Sequence, residues 1–499
     1  MKRPFALILI LLLALAGLAA AQTRGGTLVA AWMQEPVGLD PHITSAMSSY
    51  QVFENVLDTL VTLDEEQNIV PSLAHDWVVS DDGRTVTFFL RDGLRFSNGK
   101  EVLAEHFVTV YERLLDPETG SGNAPRLAGV ASVTAPNATT VVFELDAPNA
   151  VLMVNLAFKA LGLFDPAGIA DGTVGTRPVG TGPFMITDFQ PGTRLLLERN
   201  PHYWQEGLPY LDAVDIRIIG DETVRRSALV TGDIDWAFAV PPQAIEELDA
   251  RDDVVIDAVP AGAYYYLGVN MREGPLADVR VRQAISFAVN RDNIIAAAEF
   301  GNAALTQDPV PSAYGWSFDY APYSYDPERA RQLLADAGYA NGFEIEIMPT
   351  TFLPETIRAA QVVQSDLAAV NIRSTIRTLE WAEWLQEQGD GNYDTFVCSW
   401  NGLIDPFDFY HLQHRTGEVF NFTGYSNPTV DQLLDQGVQE MDPDARRAIY
   451  EEVNRAIVDE AAYIYFYNLL QVHAYRADVK GFSTRGDQAV RFLTTWLDR

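Results

Sequence analysis

The stretch Tyr264–Ile295, YYYLGVNMREGPLADVRVRQAISFAVNRDNII, constrains the fold more than any other part of the chain. Its first residues, Tyr264–Asn270, are aromatic and apolar without a proline, which suits a buried strand. Gly274-Pro275 makes a turn. Asp278 then stands where a helix cap is needed, because its carboxylate can accept from N–H groups that a first helical turn leaves unpaired. Val281, Ala284, Ile285 and Ala288 follow at i, i+3, i+4 and i+7, the stripe of a core-facing helix ending at Asn290. A second helix over Asp292–Phe300 is stopped by Gly301. We read the strand as a crossing between two lobes, one built before it and the other almost wholly after it.

Length supports more than one lobe, since 499 residues exceed what a single core organises. The first 21 residues are set aside. Lys2 and Arg3, the apolar run Phe5–Leu15 and the small residues Ala19–Ala21 predict a secretory signal peptide cut before Gln22. The sole cysteine is Cys398, so no thiol stands at the cleavage site for lipid attachment, and no internal disulfide can form. A soluble, exported protein held together by its own core is expected. A formal charge of −33 disfavours nucleic acid and anionic lipid as partners.

Along the chain, Gly26–Trp32 reads as a strand entering the loop Gln34–Pro41, and a helix is expected over Ser48–Leu57. Asp82-Gly83, Asp92-Gly93 and Asn98-Gly99 are turn signals around alternating strands, with Val86, Phe88 and Leu90 on one face and Val141, Phe143 and Leu145 on another. Phe107–Leu115 is helical. Residues 45–175 thus read as an inserted α+β domain. Gly180 and Gly182 mark a backbone turn; no Lys-Ser/Thr pair follows them, and Pro183 blocks a helix start, so they do not form a phosphate loop. Past the hub, Asp326-Pro327, Asn427-Pro428 and Asp442-Pro443 each set a capping side chain before a proline at the first helical position. These helices alternate with strands at Phe343–Met348, Ile372–Leu379 and Asp394–Trp400, which predicts an α/β lobe with a largely parallel sheet. Two late strands, Tyr463–Tyr467 and Gln471–Tyr475, suggest a second crossing. The expected division is 22–44, 176–263 and 475–499 in one lobe, 45–175 inserted in it, and 264–474 in the other.

Trp400-Asn401-Gly402-Leu403-Ile404-Asp405-Pro406-Phe407-Asp408 is the stretch most like a binding site. A strand ends there in an aromatic wall, and a turn presents an amide, an open backbone and two carboxylates, at the strand end where α/β ligands sit. The competing reading is that Trp400 is core and Asp405-Pro406 caps the next helix. His411 and His414, at i and i+3, could serve a metal, but no further ligand or neighbouring glutamate completes a zinc pattern. Asn137-Ala138-Thr139, Asn421-Phe422-Thr423 and Arg485-Gly486-Asp487 are short enough to arise by chance. Cys398 is expected inside a strand, and no catalytic constellation is legible.

Several segments together carry a resemblance: EPVGLDPH, ENVLDTLVTLDEEQNIVPSLAHDWVVSDDGRTVTFFLRDGLRFSNGKEV, PVGTGPFMI with LLLERNPHYW, the hub, YDPERARQLLADAGY, and SWNGLIDPFDF with NFTGYSNPTVDQLLDQG. In that order they resemble the family 5 extracellular solute-binding proteins, the receptors of dipeptide, oligopeptide and nickel ABC importers. The resemblance implies a type II periplasmic-binding-protein clamshell of α/β class, with three domains in two lobes. It also implies a non-enzymatic periplasmic receptor that needs no cofactor and hands a peptide-class solute to a membrane permease driven by separate ATPase subunits; a monomer is expected, because a moving hinge is hard to reconcile with a large rigid interface.

The resemblance also bears on the ligand. Thr44-Ser45 matches a ligand-contacting stretch of dipeptide binders. Those binders carry an Asp three residues after the strand-end Trp, where this chain has Leu403, and an Arg in the loop matching Pro349-Thr350-Thr351-Phe352, which has none. Loss of both charges would weaken a zwitterionic peptide unless other groups replace them, because charge-assisted bonds are the strong ones. Asp405 or Glu35 could supply the acid and an arginine from another loop the base. The expected site is therefore Glu35, Thr44, Ser45, Thr350, Thr351, Phe352, Trp400, Asn401, Gly402, Leu403 and Asp405. The alternatives are an oligosaccharide, opine or metal chelate in the same fold, or a secreted metal-dependent hydrolase using His411 and His414.

Overall fold

The computed structural model describes residues 22–499 except positions 45, 66, 313, 403 and 419, so the leader read over residues 1–21 lies outside the described residues. The hub forms as its sequence requires. The helix Val279–Ala288 begins on Asp278, whose carboxylate accepts from the Arg280 N–H at 2.9 Å. Val281, Ala284, Ile285 and Ala288 are all fully buried. Asn290 caps the next helix, Arg291–Glu299, by accepting from the Asn293 N–H at 3.1 Å. All three proline-led helices start as read: Asp326, Asn427 and Asp442 accept from Arg329, Thr429 and Ala445 N–H groups at 2.9, 3.0 and 2.9 Å.

The hub strand is longer than its apolar run. It extends over Val254–Val269, because Val254–Pro260 pairs antiparallel with residues 470–476. Its partner is a single strand, Tyr463–Arg476, rather than the two expected. The intervening Asn468-Leu469-Leu470 stays extended, because Asn468 pairs with Tyr264 on one side and Ala304 on the other. Along the hub strand the side chains alternate, as a pleat demands. Tyr264 packs edge-on against Tyr465 at 5.1 Å, while Tyr265 faces the other way and stacks on Tyr467 at 5.0 Å.

These two long strands lie at the centre of an eleven-stranded sheet. On one flank come Thr395–Asn401, Glu344–Met348 and Arg373–Ile376; on the other come Trp236–Ala237, Thr27–Trp32, Ala213–Ile218, Arg194–Arg199 and Phe184–Gln190. The Ala263–Val269 end of the hub strand pairs with 395–401, whereas Tyr475 and Ala474 at the far end of its partner pair with Trp236 and Ala237. Each long strand therefore belongs to both halves of the sheet. The expectation of a largely parallel sheet needs correction. The 344–348 strand runs parallel to both 373–376 and 395–401, but both long strands join antiparallel, so the sheet is mixed.

A separate four-stranded antiparallel sheet comprises Ala74–Val79, Thr85–Leu90, Thr140–Leu145 and Val130–Asn137. Its buried face carries Val86, Phe88, Val141 and Phe143, covered by Phe107, Val110, Tyr111 and Leu114 of the helix Ala104–Leu115. Burying each of these large side chains stabilises the fold by roughly 1.5–3 kcal/mol. The Gly180 turn is explained by contact: a Cβ there would lie 1.9 Å from the Val56 carbonyl oxygen, so only glycine lets the loop touch the end of the helix Met47–Val56.

Candidate functional site

A cavity of about 230 Å³ opens where three remote segments meet. One wall comes from the helix Met47–Val56, which presents Met47, Tyr50, Gln51 and Glu54, together with Arg126 and Phe158. Facing it, the turn after the strand Thr395–Asn401 supplies Asn401, Gly402, Ile404 and Asp408, with Tyr314 beside it. The C-terminal segment closes one side with Asp487, Gln488, Ala489 and Arg491. Tyr314 is tied to the turn by a 3.4 Å hydrogen bond from its hydroxyl to the Gly402 carbonyl.

Most charges on this lining are neutralised locally. Arg491 donates from Nε to Glu54 at 2.6 Å and from Nη1 to the Leu63 carbonyl at 2.8 Å. Burial alone would lower the Arg491 pKa, but the Glu54 charge and hydrogen bond, together with the charges of Asp487 and Asp58, outweigh this and the pKa is raised. Arg485 pairs with Asp487 at 2.7 Å. Burial acts to raise the Asp487 carboxyl, yet the Arg485 charge and hydrogen bond, together with the Arg491 charge and the Ala489 N–H, hold it below its ordinary value. The Arg485-Gly486-Asp487 tripeptide is thus an internal brace with both charged side chains largely buried. Arg126 differs from these arginines: its guanidinium lies flat on the Phe158 ring, 4.0 Å from the centroid. Burial lowers its pKa, and the Asp408 charge acts in the opposite direction.

The sequence-derived candidates divide by location. Asn401 and Gly402 line the cavity. Trp400 does not; it is half-buried, and its indole N–H donates to the Asp408 carbonyl at 3.1 Å, fixing the turn that carries Asp408. Thr44 stands behind the opposite wall, donating to the Val37 carbonyl at 2.7 Å and accepting at its own carbonyl from the Tyr50 hydroxyl at 3.1 Å. Ser45 and Leu403 lie outside the described residues.

Asp405 does not point into the cavity. It is 5% exposed and forms a two-pronged ion pair with Arg446 at 2.7 and 2.8 Å, so a turn carboxylate that looked available is consumed within the core. Glu35 accepts from the Gly192 N–H at 2.5 Å, joining two loops away from the cavity. Thr350 is fully buried, and its hydroxyl accepts from the Phe352 N–H at 3.2 Å, while the Thr351 N–H donates to the Leu379 carbonyl at 3.0 Å. Phe352 is 61% exposed and stacks on Trp381, whose ring stacks in turn on Trp384. None of these five residues lines the cavity.

His411 and His414 do not converge. His414 is fully buried, its ring nitrogens 3.2 Å from the Tyr410 carbonyl and 3.2 Å from the Tyr465 hydroxyl, and burial lowers its pKa to about 4. His411 stacks on Phe407, and among the described residues no group of three or more His, Cys, Asp or Glu side chains could hold a metal ion. The Asn421 side chain is spent on the Arg415 and Tyr425 carbonyls, at 3.0 and 2.8 Å, and Cys398 is buried in its strand.

The sequence reading missed Tyr50, Arg126, Phe158, Tyr314 and the C-terminal segment. Asp408 lay within the quoted turn but was passed over for Asp405. A proline-led turn holding Arg126 has no periodicity, so only its placement against Phe158 reveals it.

Comparison with known proteins agrees with this architecture. Residues 68–420 match the family described as bacterial extracellular solute-binding proteins, family 5 Middle. The chain belongs to that family. Among similar proteins is the glutathione-binding protein GsiB of Escherichia coli K12, 28% identical over 466 residues and 91% of each chain. The periplasmic binding protein DppA of Helicobacter pylori, solved with the peptide STSA, superposes with a TM-score of 0.77 at 26% identity, over 96% of this chain and 99% of that one. The binding protein AgaA of A. tumefaciens R10, solved with agropinic acid, gives 0.76 at 26% identity over 95% and 99%. Among the described residues, no helix is long and apolar enough to cross a membrane.

Proposed function

We propose that this family 5 protein is the periplasmic receptor of an ABC importer that closes two lobes on a peptide-class solute. One observation carries the reading. The cavity draws its walls from segments attached to both halves of the sheet, and among the described residues only the strands Val254–Val269 and Tyr463–Arg476 are long enough to belong to both halves. Such a geometry suits a hinge, with residues 22–44, 176–263 and 475–499 as one lobe, 45–175 inserted in it, and 264–474 as the other. A solute touching both walls gains contacts only in the closed state and so shifts the population toward it. The permease then reads closure, and ATPase subunits supply the energy. The protein acts without catalysis or cofactor, as a monomer exported by the leader in residues 1–21.

The names of GsiB and DppA favour peptides over sugars and chelates as the solute class. A thermal-shift screen of the mature protein against dipeptides, tripeptides, glutathione, oligosaccharides and metal chelates tests this. A ligand that binds only the folded state stabilises it by about 2.7 kcal/mol at a hundredfold excess over Kd. Peptides are expected to raise Tm; a response confined to sugars or chelates would overturn the peptide assignment.

A further inference from the structure

Arg126 is held as a ligand-binding group is held, yet among the described residues no hydrogen bond or ion pair takes up its outer edge, and the charge of Asp408 on the same lining acts on it. Its guanidinium is flat against Phe158, whose ring is set by an edge-on contact to Tyr50 at 4.8 Å. Its Nε donates to the Asn123 Oδ1 at 3.3 Å. Asn123 is itself buried and anchored, its amide nitrogen donating to the Pro41 carbonyl at 3.0 Å, while the Tyr50 hydroxyl reaches the same Oδ1 at 3.3 Å. The two Nη groups have no hydrogen-bond partner among the described residues, and none of the ion pairs formed by those residues includes Arg126. The other arginines of the lining and its brace, Arg491 and Arg485, are each paired with a carboxylate.

A fixed, planar guanidinium with both Nη groups open matches a carboxylate bidentately, and removing such a cation from water is costly unless an anion joins it. The rest of the wall is mainly apolar, with Met47, Leu63, Val154, Ala157 and Ile404 beside Phe158. A volume of about 230 Å³ is below the roughly 300–1,000 Å³ of drug-sized pockets. We propose that Arg126 is the carboxylate anchor of the cleft, selecting short peptides with a free C-terminal carboxylate and apolar side chains. The inference rests on the peptide-receptor reading. It assigns the anchoring charge to the turn Ala124–Leu127, whereas the loop Pro349–Phe352 carries no arginine.

Titration calorimetry on the full mature protein with Ala-Phe, Leu-Leu and Val-Phe, each as free acid and as C-terminal amide, tests the proposal. The acids are expected to bind at least tenfold more tightly than the amides. In Arg126→Gln the acids should weaken at least tenfold, with the amides unchanged, so that the discrimination vanishes. Arg126→Lys should recover part of it, because it restores charge without the planar fork. Phe158→Leu, which removes the platform and keeps the arginine, should also weaken the acids. Equal binding of acid and amide to the wild type, or discrimination surviving in Arg126→Gln, overturns the anchor and leaves the receptor reading intact. Failure of the acids and amides alike in the wild type overturns the proposal, and the full solute screen then decides the receptor reading separately.

Discussion

Replacing Asp405 separates a structural from a ligand-binding role for the cleft turn. Its carboxylate accepts from Arg446 Nη1 and Nη2 at 2.7 and 2.8 Å and from the Phe407 N–H at 2.9 Å. The paired side chains are only 6% and 7% exposed, and Trp316 and Tyr450 flank the guanidinium at 5.2 and 5.3 Å. Burial pulls the Arg446 pKa down, but the Asp405 charge and hydrogen bonds, together with Tyr450, outweigh this and raise it, so the arginine stays charged. Asp405→Ala therefore leaves a buried cation without its counter-ion, a loss of about 3–5 kcal/mol. Asp405→Asn, which keeps one acceptor, should fall near the lower figure. Asp405→Leu with Arg446→Met should recover most of the loss, because an apolar pair of similar volume avoids the desolvation cost altogether. Urea denaturation at pH 7 measures all three. A loss below about 1 kcal/mol in Asp405→Ala would refute the argument. So would unchanged stability accompanied by lost solute affinity, which would return Asp405 to the binding site.

Two further outcomes follow from other sites. Burial raises the Glu299 carboxyl from 4.5 to about 7, so between those values the folded state keeps a proton that the unfolded state has released. Stability should fall by up to about 3 kcal/mol as pH rises through that window and level off above it. Glu299→Gln keeps the contact with the Tyr467 hydroxyl, now 2.8 Å long, and should match the wild type near pH 4 but exceed it at pH 8 in denaturant titrations. Gly180→Ala forces a methyl against the Val56 carbonyl and should cost about 2 kcal/mol or more, while Gly175→Ala, with open space around it, should be near neutral in the same assay.

What was legible was local. Caps at Asp278, Asp326, Asn427 and Asp442 and the stripe Val281–Ala288 depend on neighbours within a turn or two, so residue type and spacing suffice to place them. Strand extent and direction were not, because Val254–Pro260 becomes strand only through a partner more than two hundred residues away. Which candidates line the cavity was not legible for a related reason. Asp405 and Asp408 are three positions apart in one turn, and it is the distant Arg446 that draws Asp405 into the core. Thr44 lies behind the cavity wall, where its carbonyl accepts from the Tyr50 hydroxyl. Arg126 was invisible because its meaning lies in its placement against the remote Phe158, not in its own segment.

Closure on a solute is the central claim, and a distance across the cleft tests it most directly. Val37→Cys and Leu385→Cys place spin labels at positions 67% and 44% exposed, one on each proposed lobe. Cys398 does not interfere, being buried with its thiol pushed up to about 12 by that burial. Pulsed dipolar spectroscopy should show the label-to-label distance becoming shorter and more narrowly distributed when a peptide that raises Tm is added at saturation. A distribution unchanged by saturating peptide would contradict the account.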